Sequence, residues 1–338
     1  MTARAPKPAW ADVPEALRVK LGLLLGEPIA SGEIVWGGYG PSATFVLTTP
    51  SGRRIFCKGT HPGQTELGHQ ALLSERRKYE RLPELARFGP AYLGGADHES
   101  WHMALLEYVP PGRSVPPWTG DTAEQVLRLL AGFHAGAPEH AARELRPFAQ
   151  SIEATNRQSW QSLRTDAPSR ARFVALFEDQ SLAQRWFDRH IQIIAGLEAQ
   201  AAATGGPRSW LHMDIRSDNL VFARDGRLFL VDWPMLVFGP VVVDIAGFLP
   251  SVEGEGGPRC AEMLRRYETL AGKAFDPSDV AKAVAYVSGY FAARAGEAAI
   301  AGLPRLRWIQ KLQLFPALRW LCELAGMEAL PMPHALEP

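Results

Sequence analysis

Residues 211–222 read LHMDIRSDNLVF, and residues 228–233 read LFLVDW. The polar side chains of the first segment follow the pattern His-x-Asp-x4-Asn, and Asp232 lies thirteen positions after Asn219. Apolar, strand-like residues flank both segments. Polar groups between apolar strands cost free energy unless they are paired or used. The pattern therefore indicates a functional site.

The residue types suit a site for a metal ion and a phosphate. Asp232 would supply a carboxylate ligand to Mg²⁺, and Asn219 would add a neutral oxygen ligand. Asp214 would orient an acceptor hydroxyl and take its proton. These residues thus predict phosphoryl transfer from a nucleotide.

The segment resembles the catalytic loop and metal-binding aspartate of the protein-kinase superfamily, and most closely its aminoglycoside phosphotransferase-like branch. The continuation supports that branch, since Gly239-Pro240 and Asp244-Ile245-Ala246 follow. Only twelve positions separate Asp232 from Asp244, whereas a protein kinase has a longer activation segment that ends in Ala-Pro-Glu. The resemblance covers residues 34–249. It implies a small-molecule kinase that uses ATP, or GTP, together with Mg²⁺.

The same resemblance implies roles for further residues, most of them upstream of this segment. Lys58, at the end of the third predicted strand, would neutralise the α- and β-phosphates. Glu75, in the helix that follows, would hold this lysine, and Glu66 and Glu80 are alternatives for that role. Arg216 would stabilise the transferring phosphoryl group through its fork of donors.

A glycine-rich loop and a hinge complete the implied nucleotide site. The loop spans 37–42, where Gly38 allows the backbone to approach phosphates closely and Ser42 offers a hydroxyl. At the hinge, the carbonyl of Leu106 and the amide of Tyr108 would bond adenine.

The pattern along the chain predicts an α+β protein with a two-lobed, protein-kinase-like fold. Before residue 108, short strands at 34–36, 43–48, 54–57, 92–93 and 101–108 accompany one main helix at 64–82. Prolines and glycines at 110–120 then break the chain. Later segments are mainly helical, notably 261–270, 278–295 and 304–324. We therefore expect an N-lobe at 1–108 that binds the nucleotide. A C-lobe at 109–338 would hold the catalytic loop, metal site and acceptor pocket.

Composition argues against several classes of protein. Lys plus Arg and Asp plus Glu each number 36, so the net charge is zero and a nucleic-acid partner is disfavoured. Three widely spaced cysteines indicate neither a disulfide framework nor a zinc site. The start has no secretory signal and no apolar run reaches membrane-spanning length, so we expect a cytoplasmic protein without a membrane partner.

The acceptor is a small molecule with a hydroxyl group: an aminoglycoside, an amino sugar, another antibiotic or a metabolite. Its identity and the oligomeric state stay open. A protein kinase, a nucleotide-binding pseudokinase and a metal hydrolase are alternatives. The short segment after Asp232 disfavours the first, and the complete set of catalytic groups disfavours the second. The third would be built on His212, Asp214, Asp232 and Asp244.

Four further polar residues have expected roles. His212 should hydrogen-bond the loop backbone, and Asp244 should tie the catalytic loop through buried backbone amides. Glu253 and Glu255 lie in a glycine-rich stretch and are expected to be solvated, although contact with a cationic substrate is the alternative.

Overall fold

The computed structural model describes residues 7–36, 42–155, 159–300, 303 and 305–336. These residues form two compact units. The first comprises the described residues of Met1–Ser114 together with Asp218–Met235, and the second those of Val115–Ser217 and Leu236–Pro338. The chain first passes from the first unit to the second between Ser114 and Val115, near the proline-rich break. The predicted division at 108/109 differs because the chain returns to the first unit at Asp218, which the order of the sequence does not reveal.

The described residues contain helices and strands with these bounds. The strands are β1 (Ser31–Ile34), β2 (Ala43–Thr48), β3 (Arg54–Thr60), β4 (Tyr92–His98), β5 (Trp101–Glu107), β6 (Arg208–Leu211), β7 (Leu220–Phe222), β8 (Leu228–Leu230) and β9 (Val237–Pro240). The helices are α1 (Glu15–Leu25), α2 (Glu66–Arg81), α3 (Gly120–Ala135), α4 (Ala141–Glu144), α5 (Phe148–Thr155), α6 (Ser159–Thr165), α7 (Ala167–Val174), α8 (Gln180–Ala199), α9 (Val241–Gly254), α10 (Cys260–Ala271), α11 (Pro277–Ala295) and α12 (Leu306–Ala325). Short 3₁₀ helices lie at Trp10–Asp12, Pro83–Arg87, Ala201–Ala203 and Ser217–Asn219.

A five-stranded antiparallel sheet in the order β1-β2-β3-β5-β4 organises the first unit. Alternate residues of β2 and β3, such as Phe45 and Cys57, join the buried cluster that contains Leu17 and Leu21 of α1. Because strand side chains alternate between faces, the neighbours of these residues point to the opposite face.

Helix α2 is mostly polar, and Leu72, Glu75 and Tyr79 are its buried residues. Their spacing of three and four puts them on one stripe of the helix, which fixes the rotation of α2. The Thr65 side chain caps its N-terminus by accepting a hydrogen bond from the Gly68 amide at 3.3 Å.

The second unit is mainly helical and has α11 at its centre, in contact with α6, α8, α9 and α12. β6 pairs with β9 so that Arg208 lies opposite Pro240 and Leu211 opposite Val237. This register puts the start of α9, which follows β9 directly, beside the start of β6, where the Val241 amide donates to the Pro207 carbonyl at 2.9 Å. The antiparallel sheet and the mainly helical second unit confirm the predicted α+β class.

Predicted strand bounds need correction, and one helix had no prediction. The first strand lies at Ser31–Ile34 rather than at 34–36, and β3 continues to Thr60, so Lys58 lies inside the strand. Val241–Gly254 forms a helix that was not predicted, because its valine run favours a strand locally while burial on nearly every side stabilises it as a helix.

Within the described ranges, no helix is both long and apolar enough to span a membrane.

Candidate active site

Lys58 lies in an ion-pair cluster within the first unit. Its Nζ is 2.7 Å from Oε2 of Glu75 and 2.5 Å from Oδ1 of Asp232. Cys57 faces the apolar core, so strand alternation turns Lys58 to the opposite face. The other two candidate glutamates bond elsewhere: Glu66 accepts from Gln70 at 2.7 Å and Glu80 from Tyr92 at 3.2 Å. Of the three, Glu75 is the partner of Lys58.

Burial sets the electrostatics of the cluster. The Glu75 residue is 3% exposed, and burial raises its pKa although the nearby Lys58 ammonium acts in the opposite direction. Burial alone would lower the pKa of Lys58, but the Glu75 and Asp232 carboxylates raise it above the ordinary value. Lys58 therefore stays charged at neutral pH, which the predicted role in phosphate binding requires.

Trp233 fixes the backbone next to Asp232. Its amide donates to Oε1 of Glu75 at 3.1 Å, and its indole Nε1 donates to the Tyr79 hydroxyl at 2.8 Å. The side chain is fully buried, and a Cβ at Gly89 would lie 2.9 Å from it and 2.7 Å from the Leu230 carbonyl. Asp232 itself has a φ of 73°, which is uncommon for a non-glycine residue and persists only where surrounding contacts hold it.

Asn219 lies beside Asp232 through the β7–β8 hairpin. Leu220 pairs with Leu230, and the Val231 amide donates to the Asn219 carbonyl at 3.0 Å. Mg²⁺ is usually held by one or two carboxylates together with substrate phosphates. The carboxylate of Asp232 and the amide oxygen of Asn219 fit such a donor set. No group of three or more His, Cys, Asp or Glu side chains in the described ranges is arranged to hold a metal ion.

The other predicted nucleotide residues also belong to the first unit. Leu106 lies in β5 and pairs with Phe56 and with Tyr92. Tyr108 follows the last residue of β5, and the Arg54 guanidinium lies 4.1 Å from its ring centroid. The Ser42 hydroxyl accepts from Gln64 at 3.5 Å. Gly38 lies outside the described residues.

Asp214 belongs to the second unit, in the loop after β6. Arg216 donates from Nη1 to Oδ1 of Asp214 at 2.7 Å, and the Asp214 amide donates to Nδ1 of His212 at 3.3 Å. Met213 between them has a φ of 67°. The geometry thus pairs Arg216 with Asp214, a contact that the sequence did not indicate.

Asp244 holds this loop from the first turn of α9. Its Oδ2 accepts from the His212 amide at 2.8 Å, and its Oδ1 accepts from the Met213 amide at 2.7 Å. These bonds confirm the predicted tie to buried backbone amides. Because both oxygens of Asp244 are engaged in this way and His212 is fully buried, a hydrolytic metal site built on these two residues is disfavoured.

Two further residues continue the network that starts at Asp244. Its Oδ2 also lies 3.2 Å from Nε2 of His134, whose Nδ1 is 2.7 Å from the Tyr267 hydroxyl. The sequence indicated no role for His134 or Tyr267. Separations of 110 and 133 residues left no local signal for either contact.

The expectation that Glu253 and Glu255 are solvated was wrong. The Glu253 side chain is 8% exposed and its Oε2 accepts from the Cys260 amide at 2.7 Å. Glu255 accepts from the Ser217 hydroxyl at 2.6 Å and from the indole of Trp118 at 2.7 Å. Glycines around both glutamates suggested an open loop, yet both side chains have hydrogen-bond partners, and those of Glu255 are distant in sequence.

Comparison with solved structures identifies proteins of the same fold. An aminoglycoside phosphotransferase from Alicyclobacillus acidocaldarius has a TM-score of 0.60 at 14% identity, covering 93% of this chain and 96% of that one. The choline kinase LicA from Streptococcus pneumoniae has a TM-score of 0.56 at 18% identity, covering 91% and 98%. A spectinomycin phosphotransferase, determined with ADP and spectinomycin, has a TM-score of 0.55 at 14% identity, covering 92% and 97%.

The structural likeness shows the predicted protein-kinase-like fold. Sequence identities of 14–18% support no conclusion beyond the fold. Comparison with curated protein sequences gave no match. A family profile is more specific: that of the phosphotransferase enzyme family matches residues 31–283, about three quarters of the chain. The region contains both the lysine cluster and the loop that carries Asp214, and its match shows that this protein is a member of the phosphotransferase enzyme family.

Proposed function

We propose that the protein transfers the γ-phosphoryl group of ATP to a hydroxyl group of a small molecule, with Mg²⁺ as the metal. The observation that carries the proposal is the ion-pair cluster of Lys58 with the buried Glu75 and the partly exposed Asp232. A fixed cation beside a metal-binding carboxylate suits a triphosphate. In support, LicA has been crystallised with AMP, and the spectinomycin phosphotransferase with ADP.

On the nucleotide side, Lys58 binds the α- and β-phosphates and Glu75 holds its ammonium in place. Asn219 and Asp232 hold Mg²⁺, which when bound neutralises charge on the phosphates. The Leu106 carbonyl and the Tyr108 amide bond adenine. Gly38 and Ser42 contribute the loop over the phosphates.

On the acceptor side, Asp214 orients the attacking hydroxyl and takes its proton. The contact with Arg216 and the bond from the Asp214 amide to His212 limit the positions that this carboxylate can adopt. Arg216 also places a cation next to the reacting oxygen, where it can stabilise charge on the transferring group. Positioning and charge neutralisation then supply most of the rate enhancement, because phosphoryl transfer needs little covalent chemistry from the protein.

The acceptor is an aminoglycoside, an amino sugar, another antibiotic or a metabolite, and we favour a cationic one. Glu255 is joined through Ser217 to the loop that carries Asp214. Its carboxylate also accepts from the Trp118 indole, and its negative charge would attract the ammonium group of such an acceptor.

The experiment is a screen of ATP consumption against hydroxylated amines, deaminated analogues and sugars, with Asp214→Asn as the blank and Asp218→Asn as a control in the same loop. At least one acceptor should be turned over by the wild type and by Asp218→Asn. Asp214→Asn should lose about 10³-fold or more in kcat while its ATP affinity stays within a few-fold.

Three results would contradict the proposal. The first is turnover by Asp214→Asn near the wild-type rate. The second is transfer of label from ATP to protein acceptors in preference to small molecules, which would indicate a protein kinase. The third is metal-dependent, ATP-independent hydrolysis that requires His212.

A further inference from the structure

A cavity of about 610 Å³ lies in the second unit, away from the loop that carries Asp214. α3, the start of β6, the start of α9 and the end of α10 surround it. Its volume falls within the range of about 300–1,000 Å³ found for small-molecule sites. Among the described residues that line it, none belongs to the catalytic loop or to the lysine cluster.

Positive charge dominates the rim of this cavity. Arg128, Arg208 and Lys273 line it, and no Asp or Glu does so among the described residues. Arg128 is paired with Glu124 at 2.6 Å, whereas Arg208 and Lys273 are exposed and have no side-chain partner in the described ranges. The C-termini of α3 and α10 contribute roughly half a negative charge each, and the N-terminus of α9 offsets half of that sum. The two positive charges of Arg208 and Lys273 outweigh the remaining half negative charge, so the net charge at the rim is positive.

The floor of the cavity is apolar and aromatic. Phe275 stacks on Tyr267 with a centroid distance of 6.0 Å and an interplanar angle of 6°, and Val241 and Leu270 lie beside them. An apolar floor under a cationic rim matches a small organic anion better than a bare ion, because the rim pairs with the charge while the floor covers the ring or chain.

The floor also connects to the catalytic loop by hydrogen bonds. Burial, with the charge of Asp244, raises the pKa of Tyr267, so its hydroxyl remains a donor. When His134 donates from Nε2 to Asp244, its Nδ1 accepts from Tyr267, and each member of the chain is satisfied. Asp244 then accepts both amides that precede Asp214.

We propose that this cavity binds a small carboxylate- or phosphate-bearing molecule with an apolar body. We further propose that the Tyr267–His134–Asp244 chain transmits occupancy of the cavity to the loop containing Asp214. Tyr267 is 1% exposed, so a ligand packs on Phe275, the ring stacked on Tyr267. This contact changes the freedom of the Tyr267 hydroxyl, and through His134 it changes how firmly Asp244 holds the two amides.

Binding is tested on the full chain without nucleotide, by calorimetric titration with phenyl phosphate, benzoate, inorganic phosphate and benzylammonium. Phenyl phosphate or benzoate should bind, and which of them binds tighter identifies the anionic group. Inorganic phosphate should bind at least tenfold more weakly, and benzylammonium should not bind. The double variant Arg208→Gln with Lys273→Gln should weaken anion binding about tenfold. The double variant Arg185→Gln with Arg265→Gln removes the same charge from exposed positions outside the cavity and should leave binding unchanged.

Two further variants test whether the bound anion occupies this cavity or the proposed nucleotide site. Ala131→Leu narrows the cavity without changing charge and should weaken binding. Lys58→Met should have no effect, because that lysine belongs to the proposed nucleotide site. The binding site is overturned if neither organic anion binds, if the two double variants behave alike, or if Lys58→Met abolishes binding.

The link to the loop is tested by amide hydrogen exchange at His212 and Met213 with and without the bound anion. Occupancy should change the exchange rates by about fivefold or more. Tyr267→Phe keeps the aromatic floor, so it should retain binding and lose the exchange response. Unchanged exchange in the occupied wild type would overturn the link. Neither readout uses catalysis, so both results are independent of the proposed function.

Discussion

The Glu75 carboxylate and the Lys58 ammonium lie 2.7 Å apart in the first unit, and Glu75 also accepts the amide of Trp233. One buried carboxylate thus fixes both the lysine and the backbone next to Asp232. Removing the charge of Glu75 leaves Lys58 with Asp232 as its one carboxylate partner in this cluster, and losing a member of such a cluster is costly. Glu75 therefore contributes both to the stability of the fold and to the geometry of the proposed nucleotide site.

Glu75→Gln should destabilise the protein by about 2 kcal/mol or more and lower kcat/KM for ATP about 10²-fold. The amide oxygen can still accept from Trp233, but the amide nitrogen faces Lys58. Chemical denaturation and steady-state kinetics measure the two effects. Glu80→Gln changes an exposed glutamate of the same helix and serves as the control. Equal behaviour of the two variants would refute the role given to Glu75.

Asp244→Asn should lower kcat about 10²-fold while KM for ATP changes only a few-fold, because Asp244 positions the loop and does not touch the nucleotide. Asparagine has one acceptor oxygen in place of two, so one of the amides of His212 and Met213 loses its partner. Exchange at that amide should become faster. Normal kcat together with unchanged exchange would show that Asp244 has no positioning role.

Arg216→Ala should lower kcat by about 10²-fold, since both proposed roles of this cation act on the reacting groups. Arg216→Lys keeps the charge but loses the planar fork, and it should recover only part of the rate. Kinetics at saturating acceptor measure the effect. The assignment fails if Arg216→Ala keeps the wild-type rate while Asp214→Ala abolishes it.

The sequence predicted those elements whose pattern is local. The helices at 278–295 and 304–324 show periodic apolar residues, and the structure has helices at Pro277–Ala295 and Leu306–Ala325. Val241–Gly254 had no prediction, since its three valines favour a strand locally, whereas contacts with α11 and α12 stabilise a helix there.

For the candidate site, motif spacing predicted the residue types but not their partners. The Lys58–Asp232 contact joins positions 174 apart, and it could be expected only through the resemblance to a family. The bonds of Glu255 to Trp118 and Ser217 had no such guide, and a glycine-rich context suggested solvent instead. Long-range polar contacts depend on the packing of whole helices, which local pattern does not encode.

A buried carboxylate outside the proposed site, Glu198, holds the start of α6. Glu198 on α8 is 3% exposed, and it accepts the amides of Ser159 at 2.9 Å, Trp160 at 2.7 Å and Gln161 at 3.3 Å. These amides open α6 and lack partners within that helix. Burial raises the pKa of Glu198 to about 7, against the opposing effect of the three hydrogen bonds.

Because the pKa of Glu198 is higher in the folded than in the unfolded chain, the folded state binds the proton more tightly. This contribution to stability is fully present below the unfolded pKa of about 4.5 and is lost as the pH rises towards 7. The free energy of unfolding should thus fall by about 2 kcal/mol between pH 5 and pH 7.5 from this group. Glu198→Gln should flatten that change and cost about 1–3 kcal/mol at pH 5, since its amide nitrogen cannot accept from a backbone amide. Urea denaturation across this pH range measures both effects, with the exposed Glu178→Gln as the control. If Glu198→Gln and Glu178→Gln show the same pH dependence, Glu198 is not the group that titrates.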